Sequence, residues 1–187
     1  MIIRSLESIL KKKIDYKKAI VVLGPRQVGK TTLINKIASG MTGDFLYING
    51  DDPAVRLAWN NPSQAFISNY IGNYKVIVID EAQRIANIGL SAQMIIDSKK
   101  GIQLFLSGSS SLEIASKINE PLTGRKWECR LYPFSWSEVK EHFSFAKTAP
   151  RLDDFLVTGM YPEVITNPAN AREILSNLTD SYLYKDI

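Results

Sequence analysis

The sequence contains one cysteine, Cys129, and one histidine, His142, among 187 residues. A single cysteine excludes an internal disulfide and points to a reducing compartment, expected here to be the cytoplasm. A single histidine excludes histidine-rich metal sites and argues against His-based catalytic triads. No apolar run approaches the length of a membrane span, so no membrane partner is expected. The N-terminal stretch MIIRSLESILKKKIDYKK lacks the sustained apolar core and small-residue cleavage site of a signal peptide. Neither sign of charge dominates. Lys and Arg number 23 against 19 Asp and Glu, a formal net charge of +4, which permits an acidic partner such as a nucleotide or nucleic acid without demanding one. Repeats and low-complexity segments are absent too. What remains, at 45% hydrophobic and 22% charged, is the composition of an ordinary globular domain, long enough for one full core.

Short apolar runs alternate with helical periodicity along the chain. Ala19–Leu23 (AIVVL) and Val76–Ile79 are continuous apolar runs, the pattern of strands buried on both faces, and Ile102–Leu106 reads as another strand. Phe45–Ile48 reads as a further strand. Trp127, Cys129 and Leu131 alternate with Glu128 and Arg130, which predicts a fifth. Helices are predicted from Lys30 to Ser39, closed by Gly40, and from Pro53 with a break at Asn60-Asn61-Pro62. Others are predicted at 88–96 and 111–118, after Pro133 with Ser135 or Ser137 as cap, from Asp153, and from Ala169 to the end. Strands alternating with helices imply right-handed crossovers, hence an α/β fold: a mostly parallel five-stranded sheet flanked by helices, followed by a small helical C-terminal part. The expected division is a core over 1–132 and a lid-like helical extension over 133–187. The last helix keeps apolar residues up to Ile187 without a capping signal, which suggests truncation before a further C-terminal domain. At the other end an amphipathic helix runs into Lys11-Lys12-Lys13, either a solvated helix end or a set of phosphate-backbone contacts.

Gly24-Pro25-Arg26-Gln27-Val28-Gly29-Lys30-Thr31 fits the pattern G-x-x-x-x-G-K-[ST] in full, directly after a buried strand and directly before a helix. Gly24 and Gly29 allow a turn whose backbone N–H groups, those of Gln27 and Val28 included, surround phosphate oxygens at the helix N-terminus. The side chains of Arg26 and Gln27 are expected in solvent. Lys30 reaches the outer phosphates, the Thr31 hydroxyl can ligate magnesium, and Thr32 adds a phosphate contact. The ligands implied are ATP or ADP with Mg2+.

Val76-Ile77-Val78-Ile79-Asp80-Glu81 is an apolar strand ending in two carboxylates, which resembles a Walker B segment. Such a strand delivers Asp80 to hold magnesium and Glu81 to orient or deprotonate water. The alternative is that the two acids open a helix, where they favour the N-terminal dipole. Gln83 either assists the water or is solvated. Ser107 and Ser109, at the tip of the fourth strand, sit where a short polar side chain would contact the terminal phosphate. A helix cap from Ser109, Ser110 or Ser111 is the other option. Arg125, just before the fifth strand, is a candidate to stabilise transferring phosphate in its own chain or a neighbour's, or else a structural ion pair. A guanine-reading Asn-Lys-x-Asp is missing: the one Asn-Lys, Asn35-Lys36, precedes the acidic strand.

The stretches GPRQVGKTTL, VIDEAQ, LFLSGSSSLEI, LTGR, LYPFSWSE and GMYPEV, in this order, resemble the AAA-type ATP-binding proteins of bacteria and archaea. The resemblance covers nearly the whole chain. It implies a P-loop ATPase core, usually followed by a C-terminal domain of unknown function. Gly159-Met160-Tyr161-Pro162 also looks like the Gly-x-Pro element of signalling ATPases, which implies that Pro162 lies near the nucleotide; a plain turn is the alternative. The expected function is Mg-dependent ATP hydrolysis driving a conformational switch. The competing function is a nucleotide-gated module that recruits DNA or protein with little turnover. A small-molecule kinase would need an Arg-rich lid, and only Arg125, Arg130, Arg151 and Arg172 are available, scattered.

Overall fold

The structure is a computed structural model that describes residues 2–15, 17–42, 44–98, 101–109 and 117–183. Five strands form one sheet in the order β2-β3-β4-β1-β5. They are β1 (Ala19–Leu23), β2 (Leu46–Asn49), β3 (Val76–Asp80), β4 (Gln103–Gly108) and β5 (Lys126–Arg130). Every pairing is parallel. Every residue of β1, β3 and β4 is buried, which is why AIVVL and VIVI read as unbroken apolar runs, while β4 also buries Gln103 and Ser107. Edge strand β5 alternates instead, with Cys129 inside and Glu128 and Arg130 outside.

The chain divides into two compact units. The larger holds Leu6–Arg26 and Lys30–Leu131, and the smaller Met1–Ser5, Gln27–Gly29 and Tyr132–Ile187. In the larger unit, helix α1 (Ser5–Lys12) precedes the sheet and α2 (Lys30–Thr42) follows β1. Helix α2 runs past the expected stop at Gly40. That glycine has no positive φ, and nothing lies within 4 Å of its would-be Cβ, so no capping geometry forms there. The break at Asn60-Asn61-Pro62 separates α3 (Pro53–Ala58), capped by Asp52, from α4 (Gln64–Ile71), capped by Ser63. Helix α5 (Ile88–Asp97) leads to β4. Ile67 and Ile71 of α4 and Ile88, Ala92 and Ile95 of α5 join Val21, Leu23, Ile77, Ile79, Leu104 and Leu106 of the strands in one core. The helix expected over 111–118 falls mostly on 110–116, outside the described residues; Lys117 and Ile118 are helical. Of the Lys11–Lys13 run, Lys11 pairs with Glu7 at 2.8 Å, and the Lys13 ammonium lies 4.0 Å from the centroid of the Trp127 ring.

In the smaller unit, Ser135 caps α6 (Trp136–Phe143) and shares a reciprocal capping box with Glu138. Glu138 also accepts the Ser5 N–H at 2.7 Å and faces Arg4, so the N-terminal segment is fastened to this helix. The short helices α7 (Phe145–Thr148), α8 (Leu152–Thr158) and α9 (Pro162–Thr166) and the longer α10 (Ala171–Leu183) follow. Their core is Ile2, Phe134, Val139, Phe155 and Ile165.

Candidate functional site

The parallel sheet puts the ends of β1, β3 and β4 side by side, with β4 in the middle. Loop residues leaving those ends therefore meet at one edge. Gly24 follows β1 where space allows no side chain: a Cβ there would stand 2.0 Å from the Leu131 carbonyl oxygen. Its own N–H donates to Gly108 O at 3.3 Å. Gly24 is thus needed for close approach, and its N–H belongs to the sheet edge. Further along, Gln27 and Gly29 both have positive φ, 61° and 90°, the conformations that curl a loop about its N–H groups. Gln27 is exposed and Val28 buried.

Lys30, the first residue of α2, is 5% exposed. Its Nζ donates to the carbonyls of Gly24 and Pro25 at 2.9 and 2.8 Å. Burial pushes the ammonium below its ordinary range, and the Glu81 and Asp80 carboxylates pull it partly back. A buried ammonium resting on neutral carbonyls is a cation without full compensation, which is a physical reason for it to attract an anion. The next residue, Thr31, donates from Oγ1 to Asp80 Oδ2 at 2.6 Å. Thr32 is exposed.

Asp80 ends β3 and collects donors from two neighbouring strands, a helix and the residue that follows it. Oδ2 accepts from Thr31 and from the Tyr47 hydroxyl, the latter at 2.8 Å. Oδ1 accepts from the Glu81 N–H at 3.0 Å and from the Ser107 hydroxyl. Burial, and then the Asp80 carboxylate, push the Tyr47 phenol well above its ordinary range, so it remains a donor. No cluster of three or more His, Cys, Asp or Glu side chains forms a metal cage among the described residues. The donor set that does exist, one hydroxyl and one carboxylate in contact, fits a hard cation that keeps most of its waters.

Glu81 adopts a left-handed backbone, φ 47° and ψ 42°, uncommon for a side chain other than glycine. Its carboxylate meets Gln83 Nε2 at 2.6 Å, and Gln83 also donates to Ser109 Oγ at 3.0 Å. The two serines therefore divide: Ser107 belongs to Asp80 and Ser109 to Glu81. Gln83 is buried at 4% exposure, against the solvated alternative.

One candidate is not brought to this edge. Arg125 directly precedes β5, whose first residue pairs with Ala19 at the start of β1, and its carbonyl accepts the Ala19 N–H. It therefore lies at the opposite edge of the sheet from Gly24, which follows the end of β1. There it pairs with Asp97 at 3.2 Å, so the ion-pair alternative holds and contact with phosphate in the same chain does not. Pro162 belongs to the smaller unit, as the first residue of α9. Tyr47 was not among the candidates. Its sequence neighbourhood, Phe45 to Asn49, reads as plain strand, and only the register Asn49 to Asp80 reveals its nearness to the acid.

A parallel sheet with this strand order, and a Gly-x-x-x-x-Gly-Lys-Thr loop between β1 and α2, define a nucleotide-binding protein of the P-loop ATPase class. The chain belongs to the AAA domain family, which matches residues 16–140. An uncharacterized protein of Methanocaldococcus jannaschii, MJ1544, is 28% identical over 191 residues, covering 94% of this chain. The chain spans only 43% of that relative's length. Among solved structures, the Walker-type ATPase PABY2304 of Pyrococcus abyssi shares the fold with a TM-score of 0.67 at 14% identity, over 98% of this chain and 75% of its own. A DNA replication initiation factor matches with a TM-score of 0.59 at 13% identity, over 89% and 59%. No helix among the described residues is long and apolar enough to cross a membrane.

Proposed function

We propose that this chain is a Mg-dependent ATPase. The observation that carries the proposal is the contact of Thr31 Oγ1 with Asp80 Oδ2 at 2.6 Å, which joins the phosphate loop to the acidic strand. In this reading Lys30 and the loop N–H groups, with Gly24, Gln27, Val28, Gly29 and Thr32 shaping or lining the cradle, hold the phosphates. Thr31 and Asp80 hold the metal. A magnesium ion held there would supply charge compensation for the phosphates and polarisation of the terminal phosphoryl group. Glu81 takes a proton from the attacking water. The water oxygen then bonds to the γ-phosphorus as the bond to the bridging oxygen breaks, and ADP leaves with the electron pair. Ser107 keeps Asp80 oriented, and Ser109 stands ready to contact the terminal phosphate.

ATP is taken as the nucleotide because no guanine-reading motif is present. The work of the cycle is assigned to a conformational switch in the extension from residue 133 onward, acting in a cytoplasmic setting. Proximity of Pro162 to nucleotide is part of that proposal.

The deciding experiment is Glu81→Gln. Single-turnover hydrolysis is expected to fall by roughly 10²–10⁴-fold, the scale for losing a general base. Equilibrium ATP binding is expected to stay near wild type. A wild type that binds ATP and never turns it over would instead establish the nucleotide-gated binding module.

A further inference from the structure

Gln83 is the most completely enclosed polar side chain beside Glu81, and neither the phosphate loop nor the metal ligands use it. It lies in the short 3-10 turn Ala82–Arg84 directly after Glu81. Its Nε2 donates to Glu81 Oε2 at 2.6 Å and to Ser109 Oγ at 3.0 Å, and Ser109 Oγ stands 3.5 Å from the same Glu81 oxygen. Its main-chain carbonyl accepts from Lys117 Nζ, which also reaches the Ile85 carbonyl at 3.4 Å. The turn is thus pinned from outside while the side chain reaches inward.

The remaining atom is informative. Gln83 Oε1 is buried and has no hydrogen-bond partner among the described residues. An unpaired buried acceptor destabilises a fold, so a side chain that only filled this space would be better apolar. What the amide gains in exchange is its charge-assisted contact with Glu81, shorter than an ordinary amide hydrogen bond. That contact occupies one carboxylate oxygen. Glu81 Oε1 accepts no hydrogen bond among the described residues.

We propose that Gln83 is a positioning residue that holds Glu81 by Oε2, so that Oε1 is the oxygen that accepts the proton of the attacking water. The fixed rotamer also explains how Glu81 stays aimed although its backbone is left-handed and its side chain would otherwise turn freely. Ser109 completes the arrangement as a second ligand of the same amide, so a group that draws Ser109 away changes the hold on Glu81. This inference rests on Glu81 acting as the base.

Two measurements on the full chain test it separately from the ATPase reading. In nucleotide-free protein, the side-chain 1H–15N amide signal of Gln83 is identified by its loss in Gln83→Met. It is expected to shift in Glu81→Ala and again in Ser109→Ala; an unmoved signal in Glu81→Ala overturns the contact, whatever the activity. In turnover, Gln83→Met is expected to lower kcat roughly 10- to 100-fold, the scale of one lost hydrogen bond to a charged group, with ATP affinity by calorimetry within about twofold of wild type. Wild-type kcat in Gln83→Met overturns the role, and so does a joint loss of affinity and kcat, which would mark a merely structural side chain. Should Gln83→Met fail to fold, Ser109→Ala must show the same split, a smaller fall in kcat at unchanged affinity, for the proposal to stand. If wild type itself never hydrolyses ATP, the ATPase reading falls, while the amide signal still reports on the clamp.

Discussion

The Tyr47 hydroxyl donates to Asp80 Oδ2 at 2.8 Å, the same oxygen that accepts from Thr31. An edge-strand tyrosine thus reaches across one strand spacing to the carboxylate assigned to the metal. Tyr47→Phe removes that donor and little else. The expected result is a loss of about 1–2 kcal/mol in stability, since the hydrogen bond is to a charged group but Tyr47 is 41% exposed. The magnesium concentration for half-maximal turnover should also change, with metal-free nucleotide affinity unaltered. A magnesium titration beside chemical denaturation checks both. An unchanged magnesium midpoint would show that Tyr47 has no part in setting Asp80.

Lys30 leads to a prediction about pH. Because burial lowers its pKa in the folded chain, the unfolded chain holds the proton more tightly, and nucleotide-free stability rises with pH between the lowered value and the ordinary lysine range. Lys30→Met removes that dependence. The variant should be at least as stable as wild type near neutral pH, with its advantage shrinking as the solution becomes alkaline. It should also lose the stabilisation that ATP confers on wild type, about 2.7 kcal/mol at a ligand concentration 100 times Kd. Thermal melts across pH, with and without ATP, measure both. A variant destabilised equally at every pH would contradict the uncompensated-cation argument.

The two loop glycines should fail differently. At Gly24 a Cβ would collide with the Leu131 carbonyl at 2.0 Å, whereas at Gly29 nothing lies within 4 Å and only the positive φ objects. Gly24→Ala is expected to cost more than about 3 kcal/mol, because two backbone segments must separate. Gly29→Ala should cost about 1–2 kcal/mol of backbone strain and stay folded. Urea unfolding ranks them, and calorimetry on the folded Gly29→Ala protein should show weakened nucleotide binding.

Much of this was legible beforehand, for identifiable reasons. Strands β1 and β3 are buried on both faces, so AIVVL and VIVI declare themselves without any alternation. The meeting of Thr31 with Asp80 at one sheet edge follows from two motifs, each placed at the end of a buried strand. What stayed hidden depended on register or topology. Tyr47 resembles a core strand residue until β2 is paired with β3 so that Asn49 meets Asp80. Gln83, flanked by Ala82 and Arg84, has no local sign of burial. For Arg125, direction selects the ion pair over the phosphate of its own chain: in a parallel sheet, a residue preceding a strand lies at the edge opposite a residue that follows one, and Arg125 precedes β5 while Gly24 follows β1.

Glu81 should invert the usual ranking of alanine over glycine. At φ 47° a Cβ is strained, so Glu81→Gly should be more stable than Glu81→Ala by about 1 kcal/mol, while both lose the carboxylate. Equal stability would show that the left-handed backbone is not held in solution. Thermal unfolding of the two variants side by side decides this without any reference to activity.

The smaller unit draws its core from both Ile2 and the segment after Tyr132, fastened by Ser5 and Arg4 on Glu138. During synthesis, the first five residues therefore emerge long before the partners they need. At about 5–20 residues per second the wait is on the order of ten seconds. Through that interval Ile2 has no native neighbour, while the larger unit's strands are already available to pair. Order of emergence thus lets β1 to β4 pair before the segment at residues 2–5 can dock on the helix that follows Ser135.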